Sequence, residues 1–150
     1  SGLDRRFEDR GQAAGVFFID DYAHLPSEVA ATVQAARQAI DGRLIVVFQP
    51  HRYTRTAALA TEFANSFEGA DQLLITEIFA AGEQPIAGVD AGMVADAVRD
   101  GNPGFPVEVL GERGAMLNRL LETLKPGDLC LTLGAGDLTQ LPELLKSGLA

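Results

Sequence analysis

Five short apolar runs recur along the chain, at residues 16–19, 44–48, 73–76, 107–110 and 129–133, and each is followed by a stretch with helical spacing. No other feature restricts the fold as much. A run of four or five β-branched, aromatic or leucine residues suits a strand covered on both faces, and strands that alternate with helices build a mostly parallel sheet. The fold class is therefore α/β. The helical stretches are punctuated by residue type. Pro26 fits a first helical turn, where its missing N–H costs nothing, and Ser27 and Glu28 suit that positive end. Val29, Val33, Ala36 and Ile40 form a stripe that Asp41-Gly42 ends. Leu59, Phe63 and Phe67 recur every four residues and predict one continuous second helix, closed by Gly69. Met93, Val94, Ala97 and Val98 predict a third, broken by Asn102-Pro103-Gly104. Met116, Leu117, Leu120, Leu121 and Leu124 predict a fourth, and Pro142 opens a last one carrying Leu144 and Leu145. Residues 1–15 are polar and glycine-rich, with one strand-like piece at Arg5-Arg6-Phe7-Glu8, and Ser1-Gly2-Leu3-Asp4 reads as a linker or the tail of a preceding domain.

Crossovers between parallel strands are right-handed, so every strand-to-helix turn falls on one edge of the sheet. Ligands of open α/β sheets bind along that edge. Four segments gather there: 20–28 (Asp20-Asp21-Tyr22-Ala23-His24-Leu25-Pro26-Ser27-Glu28), 49–56 (Gln49-Pro50-His51-Arg52-Tyr53-Thr54-Arg55-Thr56), the long loop 78–89, and Gly134-Ala135-Gly136-Asp137. The last is not a dinucleotide fingerprint, because Thr139 stands where a third glycine is needed and the turn follows the final strand.

The net charge of −9 over 150 residues argues against nucleic acid or an anionic membrane as partner. The basic pairs Arg5-Arg6 and Arg52/Arg55 stand out against it and suit a small anion. The single cysteine, Cys130, lies in an apolar run and reads as a buried thiol. No run approaches the ~18 residues of a membrane span and no secretory signal pattern is present, so the expected location is cytoplasmic.

Asp20 and Asp21 invite two readings. As a pair they resemble the acidic pocket of a receiver domain; as neighbours on a strand they point to opposite faces, one capping the next helix and the other solvated. His24 is suited to acid–base, ligand or stacking roles, and equally to a structural hydrogen bond. Arg52 and Arg55, three apart at a helix start, project to one side and are placed to fork onto a carboxylate or phosphate. There is no phosphate-loop lysine, no metal-ligand histidine pair and no Gly-x-Ser-x-Gly elbow. A chain without a self-sufficient catalytic set is suited to completing an active site supplied mostly by other domains.

Arg5-Arg6-Phe7-Glu8, the stretch 20–28, Phe48-Gln49-Pro50-His51-Arg52-Tyr53-Thr54-Arg55-Thr56 and Gly134-Ala135-Gly136-Asp137 together resemble the C-terminal domain of the Mur ligases, in order and spacing over nearly the whole chain. Leu25 departs from the pattern, which has a second histidine there. The resemblance implies a Rossmann-like three-layer domain, with a mostly parallel sheet flanked by helices and room for one antiparallel edge strand. Residues 1–15 would be a linker or tail of a central ATP-binding domain plus the first strand, and 16–150 the third domain. It also implies an ATP- and Mg²⁺-dependent, amide-forming ligase of peptidoglycan synthesis. That enzyme activates the lactyl carboxylate of UDP-N-acetylmuramate as an acyl phosphate for attack by L-alanine, and the isolated domain would be inactive. On this resemblance Arg6, Asp21, Tyr22 and His24 meet ATP, with Arg6 at phosphate and Asp21 nearer the ribose. His51, Arg52 and Arg55 hold the incoming alanine, while Mg²⁺ and most of ATP belong to the missing central domain. The alternatives are a recycling ligase that adds a tripeptide to the same sugar nucleotide, and a non-catalytic receiver-like binding module.

Overall fold

A computed structural model describes residues 6–150; Ser1–Asp4 and Arg5, named above, lie outside the described residues. The elements run β1 (Glu8–Ala13), β2 (Val16–Asp21), α1 (Pro26–Ala39), β3 (Leu44–Phe48), α2 (Tyr53–Leu59), a 3₁₀ turn (Ala60–Phe63) and β4 (Gln72–Ile75). They continue with α3 (Gly92–Gly101), β5 (Val107–Val109), α4 (Arg113–Thr123), β6 (Leu129–Leu133), a second 3₁₀ turn (Asp137–Gln140) and α5 (Leu141–Leu149). The six strands form one sheet in the order β1-β2-β6-β3-β4-β5, parallel except for β1 against β2.

Alternation along β3 explains the three layers. Leu44, Val46 and Phe48 pack on one face with Val29, Val33 and Ala36 of α1 and Val94 and Val98 of α3. Ile45 and Val47 pack on the other with Met116 and Leu120 of α4 and Leu141 and Leu145 of α5. All five β3 side chains are fully buried, each contributing on the order of 1.5–3 kcal/mol of transfer free energy. Of the two leucines noted in α5, Leu145 is fully buried and Leu144 is exposed.

The first strand differs from expectation. It spans Glu8–Ala13 rather than 5–8, because a two-residue turn at Ala14-Gly15, both at positive φ (51° and 78°), pairs Ala13 with Val16 and sets the register. The strand is an edge and mostly polar, so no apolar alternation marks it. The second helix also differs: α2 stops at Leu59, whose backbone (φ −114°, ψ −3°) leaves the helix for a 3₁₀ turn. Tight turns then follow, with Ala64, Ser66 and Ala70 N–H donating to the carbonyls of Thr61, Phe63 and Phe67. This path seats Phe63 and Phe67 against Phe48, ring centroids 5.1 and 5.4 Å away.

Candidate functional site at the carboxyl edge of the sheet

The neighbouring order of β2, β6, β3 and β4 sets their outgoing segments side by side, and main-chain hydrogen bonds carry the ladder past the strand ends. Gly134 N–H donates to Asp21 O (3.1 Å), Gln49 N–H to Leu133 O (2.9 Å) and Thr76 N–H to Phe48 O (3.0 Å). Beyond them Arg52 N–H donates to Phe79 O and Phe79 N–H to Pro50 O, tying the loop after β4 to the segment after β3. All four segments anticipated for this edge are therefore brought together.

In the segment after β2, Asp20 and Asp21 do face opposite sides, but neither is solvated and neither caps α1. Asp20 is fully buried and accepts from the hydroxyls of Thr132 and Thr139, with Arg10 3.8 Å away. Asp21, 3% exposed, accepts from Phe7 N–H and Ala23 N–H and from the Thr32 hydroxyl. Burial of a carboxylate demands such partners, and they make both aspartates organisers of the edge. The α1 cap is Glu28, which reaches back to the N–H groups of His24 (3.3 Å) and Leu25 (3.2 Å). Partial burial opposes its charge, yet these two amides, with His24 and Arg6 nearby, hold Glu28 below the usual carboxylate range. Leu25 itself has extended backbone (φ −93°, ψ 150°) at the helix N-cap. Arg6 is exposed and only loosely paired, 3.9 Å from Glu28. Among the described residues no group of three His, Cys, Asp or Glu side chains is placed to hold a metal ion.

Four rings form a row across the edge. His24 packs edge-on to Tyr22 (5.4 Å) and lies 5.5 Å from His51, which stacks on Phe79 at 5.7 Å and 21°. His24 Nδ1 meets the Tyr22 carbonyl at 3.1 Å, and His51 Nδ1 lies 3.3 Å from the Arg55 guanidinium, so His51 accepts there. Burial first, then the charges of His24, Arg55 and Arg52, push the His51 imidazole below its ordinary value of 6.5. A neutral ring facing two arginines is the result.

Arg52 occupies the N-cap of α2 at φ 71°, ψ 143°. A side chain rarely adopts this conformation, and it costs on the order of 1–3 kcal/mol. Its carbonyl accepts from Thr56 N–H (3.1 Å) and the Thr56 hydroxyl (2.7 Å), which with the Phe79 bond locks it. Neither Arg52 nor Arg55 has a carboxylate within ion-pair distance among the described residues. Two guanidinium groups with no carboxylate in ion-pair distance among the described residues, beside a neutral imidazole, form an anion-binding constellation.

Two residues that pattern alone did not single out complete the edge. Gln49, 4% exposed, donates to Asp137 Oδ1 (2.8 Å) and accepts from Leu138 N–H (3.3 Å), stitching β3 to the glycine turn. The Gln49 bond, together with Arg113 at 3.0 Å, holds Asp137 below the usual carboxylate range. Glycine is required at 136, where a Cβ would lie 2.5 Å from Phe79 and 2.7 Å from Gln49 Oε1. Phe79, the other residue, supplies the stacking surface for His51. Its position in a loop without periodicity hid it.

Comparison with known proteins agrees with this geometry. The sequence pattern of the "Mur ligase, glutamate ligase domain" family matches residues 5–136. The UDP-N-acetylmuramate--L-alanine ligase of Anaeromyxobacter dehalogenans is 52% identical over 145 residues, 96% of this chain, and the chain spans 31% of that relative's length. Solved structures of similar fold include a UDP-N-acetylmuramate-alanine ligase from Thermotoga maritima (TM-score 0.73, 23% identity, covering 96% of this chain and 29% of that one). A murein peptide ligase from Psychrobacter arcticus is also similar (TM-score 0.78, 22% identity, covering 97% and 30%). With a three-layer sheet in common and the family pattern running from Arg5 to Gly136, the chain belongs to the Mur ligase, glutamate ligase domain family.

Proposed function

We propose that the chain is the C-terminal domain of an ATP-dependent ligase that joins L-alanine to UDP-N-acetylmuramate, and that its carboxyl edge closes over ATP and positions the amino acid. The observation that carries this reading is the meeting of Arg52 and Arg55, neither in ion-pair distance of a carboxylate among the described residues, beside His51. A zwitterionic amino acid offers a carboxylate for that fork and an amine that must reach an activated acyl group. Holding the carboxylate orients the amine, and fixing reactants in attack geometry is a large part of such catalysis. The 52% identity to a ligase named for L-alanine supports the choice of acceptor.

Arg6, Asp21, Tyr22 and His24 form the ATP-facing side. Arg6 is loosely held and exposed, as a phosphate contact requires, and Tyr22 and His24 offer ring surfaces. Asp21 contributes at the ribose end and fixes the Phe7 and Ala23 backbone around it. Mg²⁺ and most ATP contacts fall to a central domain that precedes β1 in the full-length enzyme. The domain alone is then inactive, and closure excludes water from the acyl phosphate.

The test is steady-state kinetics of the full-length enzyme. Arg52→Lys and Arg55→Lys keep charge but lose the planar fork, and each is expected to raise KM for L-alanine at least about tenfold. KM for ATP should move much less. Unchanged alanine dependence in both variants refutes the acceptor-site assignment. Offering L-alanine and the muropeptide tripeptide side by side to the wild type identifies the acceptor.

A further inference from the structure

We propose that Glu83, thirty residues downstream of the arginine cluster, is a positioning residue for the amino-acid acceptor, capping α2 from the facing loop and holding Arg52 in its working conformation. This rests on the reading of Arg52 and Arg55 as the acceptor's carboxylate site. Glu83 Oε1 accepts from the N–H groups of Tyr53 (2.6 Å) and Thr54 (3.1 Å), and Oε2 accepts from the Thr54 hydroxyl. These amides are the first two of α2 and have no intrahelical acceptor. Arg52, the N-cap residue, gives no side-chain cap of its own. A carboxylate from another segment therefore does what a serine or aspartate at the N-cap usually does.

The loop is shaped for this. Ala81 and Gly82 are both at positive φ (52° and 89°), and Glu83 N–H closes the turn on Ala80 O at 3.0 Å. Two central residues at positive φ reverse the chain tightly and return Glu83 towards α2. Phe79, at the loop's start, is already bonded to Pro50 and Arg52 and stacked on His51. The loop thus grips the arginine segment at both ends, by main chain at Arg52 and by carboxylate at Tyr53 and Thr54. The Thr54 hydroxyl bond, chiefly, holds the Glu83 carboxyl below the usual carboxylate pKa range.

There is a chemical consequence for the acceptor. With the α2 amides already taken by Glu83, a substrate carboxylate has only the guanidinium groups to meet. Binding then depends on where Arg52 stands, and Arg52 stands at a strained φ that its neighbours must enforce.

The test uses the full-length ligase and varies L-alanine and ATP separately. Glu83→Ala is expected to raise KM for L-alanine about tenfold while KM for ATP stays within about twofold. Glu83→Gln retains an oxygen that accepts both amides and is expected to stay within about threefold of wild type. Thr54→Ala, which removes only the hydroxyl bond, should raise KM for L-alanine about two- to fivefold. An unchanged alanine KM in Glu83→Ala, alongside the expected rise in Arg55→Lys, overturns the role of Glu83 and leaves the acceptor site standing. An unchanged value in both overturns the acceptor site itself. A loss in Glu83→Gln equal to that in Glu83→Ala overturns the cap and assigns the effect to charge. Should Glu83→Ala fail to fold, Glu83→Gln and Thr54→Ala decide, and wild-type alanine KM in Thr54→Ala refutes the proposal.

Discussion

Replacing Gly136 by alanine tests the tightest contact of the edge. The added methyl would sit 2.5 and 2.7 Å from two Phe79 ring carbons and 2.7 Å from Gln49 Oε1, well inside van der Waals distance. None of the three can withdraw freely. The Phe79 backbone is bonded to Pro50 and Arg52 and its ring is stacked on His51, while Gln49 is held by Asp137 and Leu138. The position's φ (−101°) lies outside the left-handed region, and the penalty from these contacts is steric crowding. Overpacking of this kind costs ~1–3 kcal/mol, which in a domain of this size lowers Tm by roughly 2–12 °C. Gly114 is the control: it lies in the first turn of α4 and a Cβ there meets nothing within 4 Å. Gly114→Ala should stabilise by about 0.4–1 kcal/mol through backbone entropy alone. Urea and thermal unfolding of the 150-residue chain measure both. The His51 ring proton shifts should move in Gly136→Ala as Phe79 is displaced from its stack, and should not move in Gly114→Ala. A Gly136→Ala protein as stable as wild type, with His51 unmoved, would refute the close packing of the glycine turn against the loop after β4.

Two further expectations follow from groups withdrawn wholly or partly from water. The folded state depresses the His51 pKa while the unfolded chain takes up its proton near 6.5, so the unfolded state binds more protons in acid. The associated stability is complete above that pH and is lost as pH falls from 6.5 through the depressed folded-state value. His51→Gln should flatten the stability profile there, and an unchanged slope counts against the partly buried neutral imidazole. Cys130 is fully buried and its thiol is pushed up to about 12 by burial, then by the charge of Asp128. It should resist alkylation at pH 8 in the native chain and react fully in denaturant; native labelling at the denatured rate would contradict its placement in the core.

Residue order alone was sufficient for the α/β class, the five parallel strands and the edge on which the polar segments meet. The physical reason is that these properties are periodic or topological. A buried strand such as Leu44–Phe48 must be apolar on both faces, an amphipathic helix repeats every three to four residues, and right-handed crossovers send every outgoing turn to one side. The motif residues His51, Arg52 and Arg55 were legible for the same reason, as local clusters at a strand end. Tertiary structure decided the rest. The polar edge strand Glu8–Ala13 took its register from the Ala14-Gly15 turn, and α2 ended at Leu59 so that two phenylalanines reached the core. Asp20 found Thr132, Gln49 found Asp137 and Glu83 found Tyr53 across 112, 88 and 30 residues. Hydrogen bonds between a side chain and a distant partner leave no period in the sequence. They exist because a buried or unpaired polar group must be satisfied, and the packed sheet decides which group is within reach.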